Sequence, residues 1–571
     1  MRDLSQPTVP SRAFYDQLAV ETEKRRQANP TATALDPHGG ASTQLREELK
    51  AHIEALAPQI VALSQDIHAH PEVGYQEFYA ADAVAKLLQA HGIEVERASF
   101  GMETSLRAQI GGEAANQPTI AILCEYDALP GVGHGCGHNV MCANSVGAFL
   151  ALAELEKSHP GALGGRVILQ TTPAEECDTA KEILAQRGML EGVDAAIQTH
   201  SYAYDLVDQA WLGVRRMRVV FHGVSAHAAS APFMGRNALD AVTVAQVGMG
   251  LLRQHMLPSD RMHAVVTDGG LVPNVVPERA EMSVIVRSLN AATLRDLVAR
   301  VEDVFRGAAL ATGCGVEILT GETTNEMPVR ANGPLSQAWV RAQNTVGRTV
   351  LPRGVITEVI AAGTDFGNVS QRVPGIHPLI KIAPEGTALH THEFATAAGS
   401  PLGDRAAVDG AWGLASVALD YLSDPQLRQA VRADFEASGG VVDVASFWEK
   451  NIQAVKYRQN RPLPIKKSWG FIGRGRNVSI CEPRAVALAA GPHPDRSYCK
   501  AAPSTQFLRR RRPARASSPA RQPQPWPSPG PAPLGLSPAP APAGPTARRR
   551  PRPRGILSSA PRAAHPGPRY Q

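Results

Sequence analysis

"TIAILCEYDALPGVGHGCGHN" spans residues 119 to 139 and changes character halfway. "TIAILCEY", 119 to 126, is a short apolar run with the length of a strand. The polar loop after it carries Asp127, then four glycines between Gly131 and Gly137, which let the backbone turn tightly and bring Cys136 and His138 to one point. A strand that hands polar residues to a tight loop at its carboxyl end is the signature of an open α/β sheet, where sites form at such ends.

The surrounding chain repeats the pattern. "TQLREELKAHIEALAPQIVALSQDI" (43 to 67) has apolar positions three and four apart and reads as a long surface helix, and "AADAVAKLLQAHG" as a second helix. Two more short strands follow, "GRVILQTT" (165 to 172) and "DAAIQTH" (194 to 200). The first ends at Glu175 and Glu176, the second at His200. Residues 214 to 322 instead read strand, helix, strand, strand, helix, strand, the split β-α-β-β-α-β order of a ferredoxin-like unit. In its second helix Leu294, Leu297, Val298, Val301, Val304 and Phe305 share one face, and Asn290 stands where a cap belongs. From about 326 the α/β pattern resumes, with the helix "GPLSQAWVRAQNTV", the turn "AAGTDFGN" and the closing helix "AAVDGAWGLASVALDYL".

The expected architecture is a catalytic α/β/α domain with a central, mostly parallel sheet in two parts, 44–213 and 326–440, and an inserted ferredoxin-like α+β lid and dimerisation domain at 214–325. Residues 1–43 are expected to be a disordered lead-in and 441–571 a disordered tail. The formal charge of +5 hides a division: 34 Lys and Arg face 49 Asp and Glu before residue 441, and 24 face 4 after it. Of 45 prolines, 23 fall in the last 111 residues, where little apolar periodicity remains to offset ordering entropy. The tail's Arg runs lack aromatic interleaving and a folded reader, so a solvated segment, or a mispredicted coding end, is expected over a nucleic-acid arm. Seven dispersed cysteines do not form a disulfide framework, and neither a signal-peptide core nor a run of 18 apolar residues occurs, so a soluble cytoplasmic protein is expected.

Each polar motif has a plain reading and a chemical one. Cys136 and His138 are incidental to a flexible loop, a nucleophile with its base, or part of a metal site; a closed structural zinc site would need a second ligand pair, which is lacking. Glu175 and Glu176 are a solvated pair or, since adjacent side chains diverge, one ligand and one free general base. His200 alone reads equally as a satisfied polar residue. Jointly, three strand ends carry Cys/His, Glu/Glu and His, and "ALHTHEF" adds His390 and His392. Thiolate, carboxylate and imidazole together suit zinc, with manganese, nickel or cobalt as alternatives, and a thiolate can bridge two ions.

"DALPG…GCGHN", "TPAEE", "GVSAHAAS…GRNALDA", "VPNVVPERAEMSVIVRS" and "LHTHEF" occur in the order found in the co-catalytic metallopeptidases that include aminoacylases, hippurate hydrolases and auxin-conjugate amidohydrolases. The chain resembles that family from about residue 44 to 425, and most resembles the branch of the p-aminobenzoyl-glutamate hydrolase B subunit and the Xaa-Arg dipeptidases. The resemblance implies two divalent ions, with Cys136 bridging and His138, Glu176, His200 and His390 as the other ligands. It also implies Glu175 as acid/base, Asp127 orienting a ligand, and His227 reaching over a partner's site in a homodimer. Asn274, Arg287, Gly363 and Thr364 match positions that grip the substrate's carboxylate. The expected activity is hydrolysis of a dipeptide of the Xaa-Arg or Xaa-Lys kind, or of p-aminobenzoyl-glutamate or another N-acyl amino acid. A catalytically silent metabolite-binding or scaffold protein on the same fold is the reading of another class. Glu125 stands where many distant two-zinc relatives have a ligand histidine.

Overall fold

The apolar run at 119 becomes the middle of a six-stranded sheet, with all six residues of its strand buried. In chain order the strands are β1 (Glu96–Arg97), β2 (Leu106–Gly111), β3 (Thr119–Cys124), β4 (Arg166–Thr171), β5 (Ala195–Ile197), β6 (His200–Tyr202), β7 (Gly213–His222), β8 (Arg261–Asp268), β9 (Arg279–Ser288), β10 (Gly315–Leu319), β11 (Gly375–Ile376) and β12 (Leu379–Lys381). The main sheet runs β1-β2-β4-β3-β5-β11. Its β4–β3, β3–β5 and β5–β11 pairs are parallel, and β1 and β2 add an antiparallel edge. This computed structural model describes residues 7–36, 39–112, 114, 116–321, 324–358 and 362–449. The expected tail from residue 450 lies outside the described residues.

Strand side chains alternate between faces, and both faces here are apolar. Ile120, Ile122, Cys124, Val167 and Leu169 enter the core formed with helices Thr43–Ala69, His138–Ser158 and Pro401–Ser423. Ala121, Leu123, Ile168 and Ala196 face the other way, against Leu184 of helix Ala180–Gln186 and Phe366 and Val369 of helix Phe366–Ser370. The result is the expected α/β/α layering. One strand differs from expectation: β5 stops at Ile197, and His200 opens β6, which pairs in parallel with β12. Gln198 and His200 keep donating to Ile376 and Pro378 across the break, so the ladder bends without losing its backbone bonds.

The 213–319 segment folds as the β-α-β-β-α-β order predicts. Its sheet runs β10-β7-β9-β8, antiparallel throughout. Helices Ala238–Leu252 and Ala291–Thr312 pack on one face of it. Asn290 caps the second helix by accepting the Thr293 N–H at 2.9 Å, and Leu294, Leu297, Val301 and Phe305 form its buried stripe.

The N-terminus departs from expectation. Residues 13–28 form a helix, and the chain after it is laid down by backbone bonds from Ala32 to Val350 (2.8 Å) and from Leu35 to Gln337 (2.9 Å). The helix buries no residue, so nothing in its own pattern announces it. Residues 441–449, expected in the tail, also fold: Val442 donates to the Gln371 carbonyl and Val444–Glu449 is helical.

Asp420, with a fully buried side chain, locks the N-terminal segment to the closing helix. It accepts from the Ala41 N–H at 2.9 Å and from Arg46 Nε and Nη2 at 3.1 and 3.0 Å, and it pairs with Arg341. Removing one partner of a buried ion network strands the others. Asp420→Ala is expected to lower stability by about 3–5 kcal/mol in urea unfolding, and a loss below about 1 kcal/mol, the scale of an exposed pair, would contradict the role assigned to it.

Candidate metal centre

Three strand ends build the site. Beyond β3 the chain passes Glu125 and Asp127 and turns at Gly137, the N-cap of helix His138–Ser158, with φ of 76°. A Cβ there would lie 2.6 Å from the Ser201 Cβ, so both the turn and the close approach require glycine. Cys136 and His138 flank that point and are buried. Beyond β4, Ala174 takes a left-handed φ of 59° and donates its N–H to Glu77 Oε1 at 2.8 Å. This strained residue aims the two carboxylates that follow. His390 is left-handed too, at φ 63°, and donates its N–H to the Gly135 carbonyl at 2.9 Å.

Cys136, His138 and His200 form one group whose candidate ligand atoms all lie within 4.8 Å of one another, and Cys136, Glu176 and His390 form a second. The Cys136 Sγ is common to both. It lies 3.5 Å from His200 Nε2, while His390 Nε2 lies 3.4 Å from Glu176 Oε2. The far side of each buried imidazole is held: His138 Nδ1 is 2.9 Å from Asp127 Oδ1, and His200 Nδ1 is 2.7 Å from the Ser201 carbonyl. Asp127 Oδ2 also accepts the Glu176 N–H at 2.9 Å, so one carboxylate orients two of the candidate ligands. His392 is exposed on helix His392–Ala398, and His390 alone of this pair joins the cluster.

The residues fit a divalent cation. His138 Nε2 and Glu176 Oε1 are buried and have no hydrogen-bond partner, the condition that a bound ion relieves. Burial, then Glu176, pushes the Cys136 thiol well up, and burial holds His200 down to about 4. Burial, with Glu125, Asp365 and Glu176 adding to it, drives the Glu175 carboxyl well above the carboxylate range. A cation among these groups acts against every one of those pressures except that on the imidazole, which must be neutral to ligate. Glu175 belongs to two further groups, one with His138 and Glu176 and one with Glu125 and Asp365.

The other expected residues lie elsewhere in the single chain. His227 is exposed on the inserted unit, with its Nδ1 accepting the N–H groups of Ala229 and Ser230 at 3.2 Å each. The Asn274 carbonyl accepts from Ala228 beside it. Arg287 pairs in register with Val214, and a Cβ at Gly363 would meet Val214 Cγ2 at 3.1 Å, so these two expected positions share a neighbour. Thr364 is buried immediately before Asp365.

Sequence reading missed a buried cation. Lys181, in what reads as an ordinary helix start after the paired glutamates, has no exposed surface and ion-pairs with Glu125 and Asp365. Burial opposes its charge, but Asp365 and Glu125 overcome this and raise its pKa. Burial likewise pushes Glu125 up, yet Lys181 and His138 pull it down to about 2. His377, with both ring nitrogens buried and unpartnered, stacks on Phe366 at 4.8 Å and lies 5.3 Å from the His200 ring.

A family profile described as peptidase family M20/M25/M40 matches residues 121–404. The chain is 33% identical to the Xaa-Arg dipeptidase of Mus musculus over 399 residues, covering 69% of this chain and 92% of that protein. It is 26% identical to the B subunit of the p-aminobenzoyl-glutamate hydrolase of Escherichia coli strain K12, covering 67% of this chain and 93% of that protein. Among solved structures, a dinuclear metal-binding peptidase of the M20 family from Bacillus subtilis superposes with a TM-score of 0.51 at 21% identity, over 65% of this chain and 99% of that one. A likeness at a third of all positions over nearly the whole of a relative, on a fold that places a thiol, imidazoles and carboxylates together, makes the chain a hydrolase belonging to peptidase family M20/M25/M40.

Proposed function

We propose that the protein hydrolyses the amide bond between an acyl or aminoacyl group and an amino acid bearing a free carboxylate. The observation that carries this reading is Glu175, a carboxylate against both His138 and Glu176 that the shared-thiol groups leave free. Two divalent ions, with zinc the best match to the donor set, would be held there by Cys136, His138, His200, Glu176 and His390. Such ions supply Lewis acidity, polarising the scissile carbonyl and acidifying water.

Glu175 takes a proton from the attacking water as its oxygen adds to the carbonyl carbon, and returns it to the leaving nitrogen as the C–N bond breaks. Asp127 keeps His138 and the Glu176 turn in place. Asn274, Arg287, Gly363 and Thr364 receive the substrate's carboxylate, and His227 of a second copy donates to the developing oxyanion. Homodimerisation is supported by the apolar stripe Val244, Val247 and Leu251, 40%, 59% and 59% exposed on the inserted unit. The dipeptidase relative supports an Xaa-Arg or Xaa-Lys dipeptide, and the aminobenzoyl-glutamate relative an N-acyl amino acid. Free, buried Cys124, Cys136 and Cys142 favour a reducing, cytoplasmic setting. Among the described residues no helix is long and apolar enough to cross a membrane.

Two measurements test the assignment. Glu175→Gln is expected to retain the wild-type metal content while turnover falls about 10²–10⁴-fold, and undiminished turnover removes Glu175 from the role. Zinc added to chelator-treated protein is expected to raise Tm, since a ligand that binds only the folded state stabilises it. Cys136→Ala is expected to lose most of that rise. An equal rise in the variant would show that the thiol holds no ion.

A further inference from the structure

"HPEVGYQEF", residues 70 to 78, joins helix Thr43–Ala69 to helix Phe78–Ala90 and supplies none of the candidate ligands. It nonetheless grips two of the strand-end turns that do. On one side Val73 bridges to Ala128, next to Asp127, and the Ala128 N–H donates to the Glu72 carbonyl at 2.7 Å. On the other, Gly74 lies so close to the turn after β4 that a Cβ there would stand 2.9 Å from the Ala174 Cα and collide with Cys177. Tyr75 is itself left-handed, at φ 64°, and its hydroxyl donates to Asp178 Oδ2 at 2.9 Å.

The innermost of these contacts is Glu77, which has no exposed surface. Its Oε1 accepts the Ala174 N–H at 2.8 Å, and its Oε2 accepts the Thr104 hydroxyl at 2.9 Å. Ala174, at φ 59°, stands where a Cβ strains the backbone, and such a conformation persists only where its surroundings hold it. The two glutamates that follow differ in what anchors them. Glu176 has its own N–H on Asp127 Oδ2 at 2.9 Å. Glu175 is joined directly to Ala174, so the dihedral angles at Ala174 set where its side chain points.

We propose that Glu77 is the positioning residue of the acid/base: by holding Ala174 left-handed it aims Glu175 at the attacking water, and it takes no part in metal binding. This deepens, and rests on, the amidohydrolase reading above. Asp127 serves the ligand and Glu77 the acid/base, so the duties of the two adjacent glutamates are separable by substitution. Burial, then Asp127, raises the Glu77 carboxyl to about 7, which brings its neutral form within reach near neutrality and makes glutamine a close substitute.

The test uses full-length, zinc-loaded protein with alanyl-arginine and p-aminobenzoyl-glutamate as substrates. Glu77→Leu is expected to lower kcat at least about thirtyfold while KM moves less than about threefold and zinc content stays at the wild-type value, since a small misplacement of a reacting group acts on this scale. Glu77→Gln, which can still accept from Ala174 while donating to Thr104, is expected to recover at least about tenfold of that loss. Adding Ala174→Gly, which permits positive φ without a Cβ, to Glu77→Leu is expected to recover at least about threefold. Should Glu77→Leu not fold, Glu77→Asp, which keeps the charge and shortens the reach, takes its place with the same expected loss. A kcat within about threefold of wild type, a zinc content that falls with kcat, or no recovery in Glu77→Gln or in the Ala174→Gly pair overturns the proposal. Should neither substrate be cleaved with both ions bound, the hydrolase reading fails on its own. Calorimetric titration with acetohydroxamate, a metal-binding group that also hydrogen-bonds to an adjacent carboxylate, then decides. Binding by wild type that weakens at least about tenfold in both Glu77→Leu and Glu175→Gln upholds the positioning; no binding by wild type, or binding unchanged in Glu77→Leu, overturns it.

Discussion

A lysine without solvent contact sets the terms for the catalytic end of this fold. Burying an ammonium costs several kcal/mol, and only well-placed carboxylates compensate for it. Lys181 finds two, Glu125 beyond β3 and Asp365 beside the Gly363–Thr364 turn, while it sits itself on the helix that follows Glu175 and Glu176. Its backbone N–H also donates to Asp365 Oδ2 at 3.0 Å. Three segments far apart in the chain therefore meet at one charge. None can shift without leaving that charge, or one of its partners, unpaired in the interior. The strand-end turns that carry the candidate ligands are held in register by this tie as much as by the sheet.

The site in front of the tie is arranged the opposite way. There the buried polar atoms His138 Nε2 and Glu176 Oε1 make no hydrogen bond, although Glu125 Oε2 lies 3.3 Å from the former, and burial and neighbouring charges shift the protonation of Cys136 and Glu176. Behind the ligands Lys181 is paired with two carboxylates; in front, capacity is left open. Two of the five left-handed non-glycine residues among the described residues, Ala174 and His390, lie on that open side, so part of the backbone strain sits where a ligand would be bound.

Much of this was legible in the sequence because the signals were local. The inserted unit is encoded by alternation and periodicity within each element, with an asparagine cap where the second helix begins, and the structure follows it to within a few residues. Cys136 and His138, and Glu175 and Glu176, are close in sequence and come directly after strands, so spacing alone pointed to them. What escaped reading is held by distant partners. Helix 13–28 and the chain after it depend on residues near 337, 350 and 385. Lys181 looks like a solvated helix charge because its two carboxylates lie 56 and 184 positions away. His377 carries no local pattern at all.

The inserted unit leaves and re-enters the chain at neighbouring points. Its first strand, β7, and its last, β10, are antiparallel partners, with Leu319 opposite Arg218, and Val214 bridges to Glu326 just beyond. The parent sheet draws no strand from between these points. In evolutionary terms the insertion is a self-contained cassette: a short link could replace it without breaking one hydrogen bond of the main sheet, and a larger module could be spliced in at the same junction. The chemistry at the strand ends and the inserted unit are thus free to diversify at different rates.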